Sequence, residues 1–180
     1  DILNSPMISE PFHLLDCAMT SEGGSAMVLT TVERAKSMRK KPIYVLGAGT
    51  ESAGPGYTIP AIWDECGYVG RRAAEKAFKM SGLSPNDIDV CEFYDPFSFE
   101  IIRQFEAYGF CDEGEGGPYI ETGVIKREGK NPICTDGGLM SNSHPGNNQH
   151  TIKAVSGMRQ LRRECGPRQV DDPSTAMVTF

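Results

Sequence analysis

Residues 67–97 read GYVGRRAAEKAFKMSGLSPNDIDVCEFYDPF and contain the clearest indication of fold class in the 180-residue chain. Between residues 68 and 80 the apolar side chains recur at helical spacing and Gly82 provides a stop, so we predict a helix. Residues 84–87 have the composition of a turn, and the alternation over residues 88–93 predicts a strand with one wetter face. Helix, turn and strand in this order indicate an α/β protein built in layers.

The rest of the chain continues this alternation. Apolar runs and helical spacing predict strands at residues 26–31, 43–46, 133–135 and 175–180 and helices at residues 32–39, 95–109 and 147–164. The helix after the central strand is predicted to begin at Asp95, a favoured N-cap, with Pro96 as its first helical residue. The last helix is expected to pack on the sheet, and its apolar positions share one face: Ile152, Val155, Met158 and Leu161.

Composition excludes several classes of function. The net charge is −6 and no basic stripe is present, which argues against nucleic acid and against an anionic membrane surface as partners. No apolar run approaches the roughly 20 residues of a membrane span. The six cysteines form no C-x-x-C pattern, so the sequence indicates neither a zinc site nor a disulfide framework. We expect small buried cysteines, a reducing compartment and a cytoplasmic protein.

Both ends of the sequence are unusual for a complete protein. The chain opens on Asp1 without an initiator methionine. It closes on the apolar run of residues 175–180, which is typical of an interior strand. We therefore expect a fragment of a longer protein, in which an upstream targeting sequence would not be visible.

Two side chains, Tyr94 and His144, are placed where chemistry is plausible. Each follows a predicted strand and precedes a predicted helix, a position where free amide groups favour negative charge. His144 lies in the loop GGLMSNSHPGNN, whose glycines let a ligand approach the backbone. An imidazole there can act as a general base or as an oxyanion donor. The residues alone leave two ordinary alternatives open: a surface histidine and a packed tyrosine.

The order of the motifs resembles the second half of a thiolase. The stretch of residues 67–97, then CTDGGLMSNSHPG, then a helix and an apolar strand, is most similar to the sterol-carrier and lipid-transfer branch of that superfamily. The resemblance implies an α/β/α/β/α layered fold, of which this chain would be the C-terminal half with a mixed sheet. Residues 1–40 would be the end of the first half, with a strand and a connecting helix. Residues 41–180 would be the C-terminal domain, truncated before its last strand.

Roles are implied position by position. Residues 94–97 fall on the family segment Asn-Glu-Ala-Phe or His-Asp-Cys-Phe, and residues 143–145 fall on Gly-His-Pro, with serine replacing the glycine. The resemblance gives His144 the activation of a cysteine nucleophile and binding of the thioester oxygen, and gives Tyr94 a part of the oxyanion site. None of the six cysteines matches a catalytic cysteine of the family. The residues expected to bind coenzyme A are Gly67, Tyr68, Gly70, Gly138, Ser143 and Gly146.

The resemblance leaves three functions open. The first is acyl transfer that cleaves or forms the C–C bond of a 3-ketoacyl-CoA. The second is retro-aldol cleavage of a 3-hydroxyacyl-CoA from a steroid or lipid side chain, since related aldolases carry a tyrosine at the position of Tyr94; they also carry one where this chain has His144. The third is a noncatalytic scaffold subunit.

The resemblance also implies the binding partners. The substrate would be an acyl-CoA thioester, with no tightly bound cofactor and no metal. The protein partners would be the rest of the chain, a second copy in a homodimer, and a subunit that combines a zinc ribbon with an oligonucleotide-binding-type barrel. The acidic stretch of residues 112–128 is expected to form a solvated surface.

Overall fold

The computed structural model describes residues 1–52 and 68–180. Its strands are β1 (Met7–Ser9), β2 (Phe12–His13), β3 (Val90–Glu92) and β4 (Ala176–Val178). Its α-helices are α1 (Val32–Lys36), α2 (Arg71–Ser81), α3 (Ser98–Ala107), α4 (Gly116–Glu121), α5 (Gly138–Ser141) and α6 (Gln149–Leu161). Cys66 and Gly67 lie outside the described residues.

Two parallel strands lie at the centre of the described fold. In the pairing of β3 with β4, Val90 lies opposite Ala176, and Cys91 also forms a single parallel bridge with Ile133. Helix α6 packs against both strands. This is the α/β arrangement that the sequence predicts. Antiparallel pairing occurs in the separate hairpin of β1 and β2.

An aromatic cluster holds β3 against α3. Phe93 and Phe105 are fully buried, and their ring centroids lie 5.3 Å apart. Tyr108 and Phe110 pack edge-on against Phe93, at 5.3 and 5.8 Å. Tyr119 adds a fifth ring, 5.5 Å from that of Phe105. Contacts of this kind add to the stabilisation from burial, so the end of β3 is held firmly.

The start of α3 differs from the prediction. The helix begins at Ser98, and Phe97 occupies the N-cap position, not Asp95. Asp95 is 2% exposed, and its carboxylate accepts a hydrogen bond from the amide of Leu139 and forms an ion pair with Lys153. Because those partners occupy the Asp95 side chain, it is not available to cap α3. The capping prediction for Asp95 and Pro96 was therefore wrong.

Helix α6 also differs from the prediction, because its fully buried positions are mostly polar. The apolar positions predicted to share the packed face, at 152, 155, 158 and 161, are all half-buried. The fully buried side is instead formed by Gln149, Lys153, Ser156, Gly157 and Gln160. Hydrogen bonds compensate for this burial, as for Gln160, whose amide donates to the Thr135 hydroxyl and to the Arg168 carbonyl, both at 2.8 Å.

The N-terminal arm, residues 1–46, is much less regular than predicted. The segments 26–31 and 43–46 were expected to be strands, yet neither forms one. A strand needs a neighbour to receive its backbone hydrogen bonds, and among the described residues no strand pairs with either segment. Their apolar side chains are accordingly exposed, Val28 by 84% and Val45 by 78%. The helix expected at 32–39 does form, as the shorter α1.

The acidic stretch of residues 112–128 is more ordered than a solvated loop. It contains α4, whose first amide, that of Gly116, donates to the Glu106 carboxylate at 2.9 Å. Tyr119 of this helix enters the aromatic cluster and donates its hydroxyl to Asn131 at 2.7 Å. The segment therefore contributes to the core, and the expectation of a purely solvated surface was wrong.

The remaining predictions concern lengths of elements. Helix α2 ends as predicted at Gly82, which has the left-handed φ of +72° and donates its amide to Phe78. Residues 133–135 form a single bridge and not a strand ladder. In the described ranges, no helix has the length and apolar character needed to cross a bilayer.

Candidate functional site

The rings of Tyr94 and His144 lie side by side, as the sequence analysis required. Their centroids are 6.5 Å apart and the ring planes are tilted by 37°. Both residues are half-buried. Positions 50 residues apart in the sequence therefore meet at one place, and we call these two side chains the ring pair.

The backbone of Tyr94 is fixed by two buried polar side chains. Its amide donates to the Thr179 hydroxyl at 2.9 Å, and its carbonyl accepts a hydrogen bond from the side-chain amide of Gln104 at 2.5 Å. Thr179 in turn donates its hydroxyl to Gln104 at 2.6 Å. Because Thr179 follows β4 and Gln104 lies on α3, the turn that carries Tyr94 is attached to both elements.

The loop that carries His144 is held by the N-terminal arm. The Ser21 hydroxyl accepts the amide of His144 at 2.9 Å, and the Ser21 amide donates to the His144 carbonyl at 3.3 Å. The hydroxyls of Ser21 and Ser143 are also hydrogen-bonded, at 2.9 Å. Further along, the side chain of Asn148 donates to the Gly23 carbonyl at 3.2 Å. The arm therefore forms part of the site, although much of it is exposed.

The Nε2 atom of His144 is buried and has no hydrogen-bond partner among the described residues. Buried polar atoms without a partner are uncommon in native proteins, but His13 and His150 each have such a ring nitrogen too. His144 differs from them in lying beside the ring of Tyr94. A substrate oxygen or a thiol that lies against this ring would satisfy the atom. The imidazole is therefore placed to exchange a proton with a ligand or to donate a hydrogen bond to one.

Gly138 supports the turn that precedes the His144 loop. It has a φ of +66°, and a Cβ atom there would overlap the Asp95 carboxylate, so only glycine fits. The next amide, of Leu139, donates to both oxygens of that carboxylate, at 2.9 and 3.0 Å. Of the residues predicted to bind coenzyme A, Gly138 is thus packed against Asp95, while Gly146 is exposed in open space.

The other predicted coenzyme A residues contact acidic side chains. The hydroxyl of Tyr68 donates a hydrogen bond to Glu106 at 3.1 Å. The pKa of this phenol is raised, chiefly by burial and then by the hydrogen bond to Glu106. The amide of Gly70 donates to Glu51 at 3.0 Å. Arg71 stacks 4.5 Å from the centre of the Tyr68 ring. Tyr68 and Gly70 therefore lie at the start of α2, and these contacts are with residues outside the ring pair.

A group of ionisable residues that the sequence did not predict lies beside the site, and we call it the buried charge cluster: the buried Glu92, Asp95 and Lys153 with the half-buried Cys134. The Lys153 ammonium is 2.6 Å from the Asp95 carboxylate and 3.0 Å from the Cys134 sulfur. Burial opposes the charge of Lys153, but the adjacent Cys134 and Asp95 together raise its pKa above the ordinary value. The burial of Lys153 could not be predicted from the sequence, because lysines in helices are ordinarily exposed.

Glu92 is the second buried acid of this cluster. Burial raises its pKa to about 7, and the nearby Asp136 adds to the shift, while Lys153 and a hydrogen bond from Thr135 partly offset it. The hydrogen bond from the Thr135 hydroxyl to Glu92 Oε1 is 2.8 Å long. Oε2 of Glu92 is buried without a partner among the described residues.

Four of the five described cysteines are poor candidates for a nucleophile. Burial is the main reason that the thiol pKa is raised in Cys91, Cys111, Cys134 and Cys165. The pKa of Cys111 is about 11. A nucleophilic thiol instead needs a lowered pKa. Within the described part of the chain, no group of three or more metal-ligating side chains is close enough to hold a metal ion.

Comparisons with known proteins identify the family. The family described as "Thiolase C-terminal domain-like" matches residues 67–179. The acetyl-CoA acetyltransferase of Methanothermobacter thermautotrophicus is 36% identical over 98% of this chain and 46% of its own length. The 17-hydroxy-3-oxo-4-pregnene-20-carboxyl-CoA lyase of Mycobacterium tuberculosis is 32% identical, over 90% of this chain and 42% of its own length.

A solved structure supports the same relationship. The Ltp2-ChsH2(DUF35) aldolase superposes with a TM-score of 0.84 at 30% identity, over 99% of this chain and 46% of the aldolase chain. The chain spans about half the length of the relatives it matches. The family match covers well over half of the chain, and the fold and the sequence agree with it. The chain therefore belongs to the thiolase C-terminal domain-like family.

Proposed function

We propose that the protein to which this chain belongs is a thiolase-like acyltransferase that cleaves or forms the C–C bond of a 3-ketoacyl-CoA. The observation that carries the proposal is the ring pair, in which the buried Nε2 of His144 lacks a partner beside the Tyr94 ring. The relatives that act on acyl-CoA compounds support the same class of substrate.

In this proposal the two rings have different roles. The imidazole of His144 takes the proton from an attacking thiol and, through a ring N–H, stabilises the oxyanion that forms from a carbonyl. The phenol of Tyr94 is a second donor at the same oxyanion. By analogy with measured donor deletions, the hydrogen bond from His144, the principal donor, lowers the barrier by roughly 3 to 4 kcal/mol. The phenol is a supplementary donor and lowers it by less than about 1 kcal/mol, which is a factor of about five in rate.

The nucleophilic thiolate would come from outside the described residues. Four of the described thiols have raised pKa values, so they are predominantly protonated at neutral pH. Coenzyme A would be a substrate and not a resident cofactor. We keep Gly67, Tyr68, Gly70, Ser143 and Gly146 as proposed contacts with it; Gly138 would contribute only through its backbone, since Asp95 fills the other side.

Retro-aldol cleavage of a 3-hydroxyacyl-CoA is the second candidate. The observation in its favour is the tyrosine at position 94, together with the lyase and aldolase relatives. In that reaction Tyr94, as its phenolate, would accept the proton of the β-hydroxyl group, and the C–C bond would break to release the aldehyde or ketone. The thioester fragment would become an enolate, whose carbon would take the proton back from Tyr94. His144 would then stabilise the enolate oxygen, and no nucleophilic thiol would be needed.

Product analysis separates the two reactions. The natural full-length protein is incubated with a 3-ketoacyl-CoA with and without free coenzyme A, and with a 3-hydroxyacyl-CoA alone. Acyl transfer predicts cleavage of the first compound only when free coenzyme A is present. Release of an aldehyde or ketone from the second compound without added coenzyme A would establish the aldolase instead. Absence of both reactions would favour a scaffold subunit.

Substitution of Tyr94 by phenylalanine gives an independent test. If the protein transfers acyl groups, Tyr94→Phe should lower kcat less than about fivefold, because one donor of several is lost. If it is an aldolase, the same change removes the proton acceptor and should lower kcat by at least about 100-fold. A severe loss of acyl transfer would contradict the role proposed for Tyr94.

The proposal includes partners. We propose a cytoplasmic homodimer that also binds a second subunit with a zinc ribbon and a barrel of the oligonucleotide-binding type. The name of the solved Ltp2-ChsH2(DUF35) aldolase joins two components, which supports the presence of a second kind of subunit. Light scattering of the natural protein, alone and after co-expression with a candidate subunit, measures both associations; a monomer that binds no subunit would contradict them.

A further inference from the structure

Lys153 and Asp95 form a buried ion pair, and Asp95 is the chain neighbour of Tyr94 in the ring pair. Both side chains are almost fully buried, at 1% and 3% exposure, and the charged atoms are 2.6 Å apart. Surface ion pairs of this chain are different, as in the pair of Lys40 and Glu164, whose side chains are 60% and 36% exposed. Burying two charges is costly, and such a pair is weak evidence for a gain in stability.

The pair connects the two halves of the site. Asp95 follows Tyr94 in the chain, so the position of its carboxylate constrains the turn that carries the phenol. The same carboxylate accepts the amide of Leu139 and fills the space beside Gly138. From there the backbone continues to the histidine, because the amide of Ser143 donates to the Gly138 carbonyl at 3.2 Å.

Helix α6 contributes the cation from a third direction. The Lys153 ammonium contacts Asp95 and also the sulfur of Cys134, whose thiol donates to the Phe93 carbonyl at 3.3 Å. Cys134 has a φ of +46°, an uncommon backbone conformation for a residue other than glycine. Residues held in such conformations cluster near functional sites. Lys153 thus joins the end of β3, the turn before α5 and helix α6.

We propose that Lys153, acting through Asp95, is a positioning residue that sets the spacing of the Tyr94 and His144 rings. This rests on the proposed function, since the spacing matters if the two rings act on one acyl-CoA. The ion pair is retained for the geometry of the site, and its replacement by uncharged groups leaves the fold intact but separates the rings. A displacement of about 1 Å at a catalytic group can cost turnover on the order of 100-fold.

The test uses three variants of the natural full-length protein. Lys153→Met removes the cation and leaves a buried carboxylate without its partner, so the melting temperature should fall by more than about 5 °C. Asp95→Asn combined with Lys153→Met removes both charges and keeps an acceptor for the Leu139 amide. This double variant should recover a melting temperature within about 3 °C of the natural protein. Lys40→Met, which breaks an exposed ion pair, is the matched control.

Two readouts follow the geometry of the site. The first is the ring ¹³C–¹H resonance of His144, which is assigned by its absence from the spectrum of the His144→Gln variant. The second is the separation of kcat from KM with a 3-ketoacyl-CoA. In the folded double variant we expect a shifted His144 resonance and a kcat at least about tenfold lower, with KM changed less than about threefold. The Lys40→Met control should change neither.

The outcomes distinguish this proposal from the proposed function. A double variant with the melting temperature, His144 resonance and kcat of the natural protein would overturn the positioning role. So would a double variant that unfolds while Lys40→Met stays folded, because the pair would then serve stability. If the natural protein has no turnover, the proposed function fails, and the His144 resonance alone still decides whether Lys153 positions the ring.

Discussion

The N-terminal arm and the packed region of residues 68–180 contain similar apolar runs, but these runs adopt different secondary structure. Residues 26–31 read AMVLTT and form no strand, whereas residues 88–93 read IDVCEF and contain β3. The difference lies in the neighbours, because β3 has β4 and Ile133 alongside it. Strand propensity is therefore realised only where another strand accepts the backbone hydrogen bonds.

The arm is nevertheless part of the site. Its residues 20–25 run beside the loop of His144, and Ser21 makes two hydrogen bonds with the backbone of that residue. A region with many exposed apolar side chains thus holds one half of the ring pair, while the packed region holds the other. The site depends on contacts between a loosely packed and a tightly packed part of one chain.

The largest effect expected from this comparison concerns core packing. Phe93→Ala should lower the free energy of unfolding by about 3 to 5 kcal/mol, because a fully buried ring in the aromatic cluster is lost. Leu29→Ala in the arm should change it by less than about 0.5 kcal/mol, because that side chain is 76% exposed. Urea denaturation of both variants measures the difference. A cost at Leu29 close to that at Phe93 would mean that the arm is covered in solution.

A second prediction concerns the acid buried in the packed region. The pKa of Glu92 in the folded chain is about 7, above its ordinary 4.5, so the folded state holds this proton more tightly than the unfolded state. Ionisation of Glu92 therefore destabilises the fold progressively as the pH rises from about 4.5 to about 7. Glu92→Gln keeps the acceptor for Thr135 and removes the charge.

The pH dependence of this variant is the measurement. Below pH 4.5 the free energies of unfolding of Glu92→Gln and the natural chain should agree, and at pH 8 the variant should be more stable by up to about 3 kcal/mol. A stability difference that does not change between pH 4 and about 8 would show that Glu92 is not forced to ionise in a buried position.

The smallest effect concerns the contact between the two regions. Ser21→Ala removes the acceptor of the His144 amide, so we expect a loss of about 1 kcal/mol in unfolding free energy and faster hydrogen exchange at that amide. Ser37→Ala is the control, since the Ser37 hydroxyl donates to the Arg34 carbonyl within the arm. Equal exchange at His144 in both variants would show that the arm does not hold the loop.

The ring pair could be predicted from the sequence because two indications agree, the local context of each residue and the resemblance of the surrounding motifs to thiolases. Tyr94 and His144 each lie at the end of a strand-like run and before a helix-like run, and such positions converge at one edge of a parallel sheet. The backbone support from Ser21 could not be predicted in this way. It depends on the path of an irregular arm, for which the sequence carries no periodic signal.

The buried charge cluster could not be predicted because hydrophobic periodicity gives no indication of buried charged residues. Hydrophobic periodicity assumes that apolar residues face inward, but the fully buried positions of α6 include Lys153 and Gln160. Likewise, Asp95 has the sequence context of an N-cap, and its actual partners, Leu139 and Lys153, are more than 40 residues away. Buried polar groups are specified by tertiary partners, which are invisible in a local window.

The catalytic role of the ring pair is tested by the turnover of a 3-ketoacyl-CoA by the natural protein carrying His144→Gln. His13→Gln is the matched control, because His13 lies in the arm beside Asp16 and outside the ring pair. We predict that His144→Gln lowers kcat by more than about tenfold and that His13→Gln changes it less than about twofold. Turnover by His144→Gln equal to that of the natural protein would contradict the assignment of the ring pair as the catalytic site.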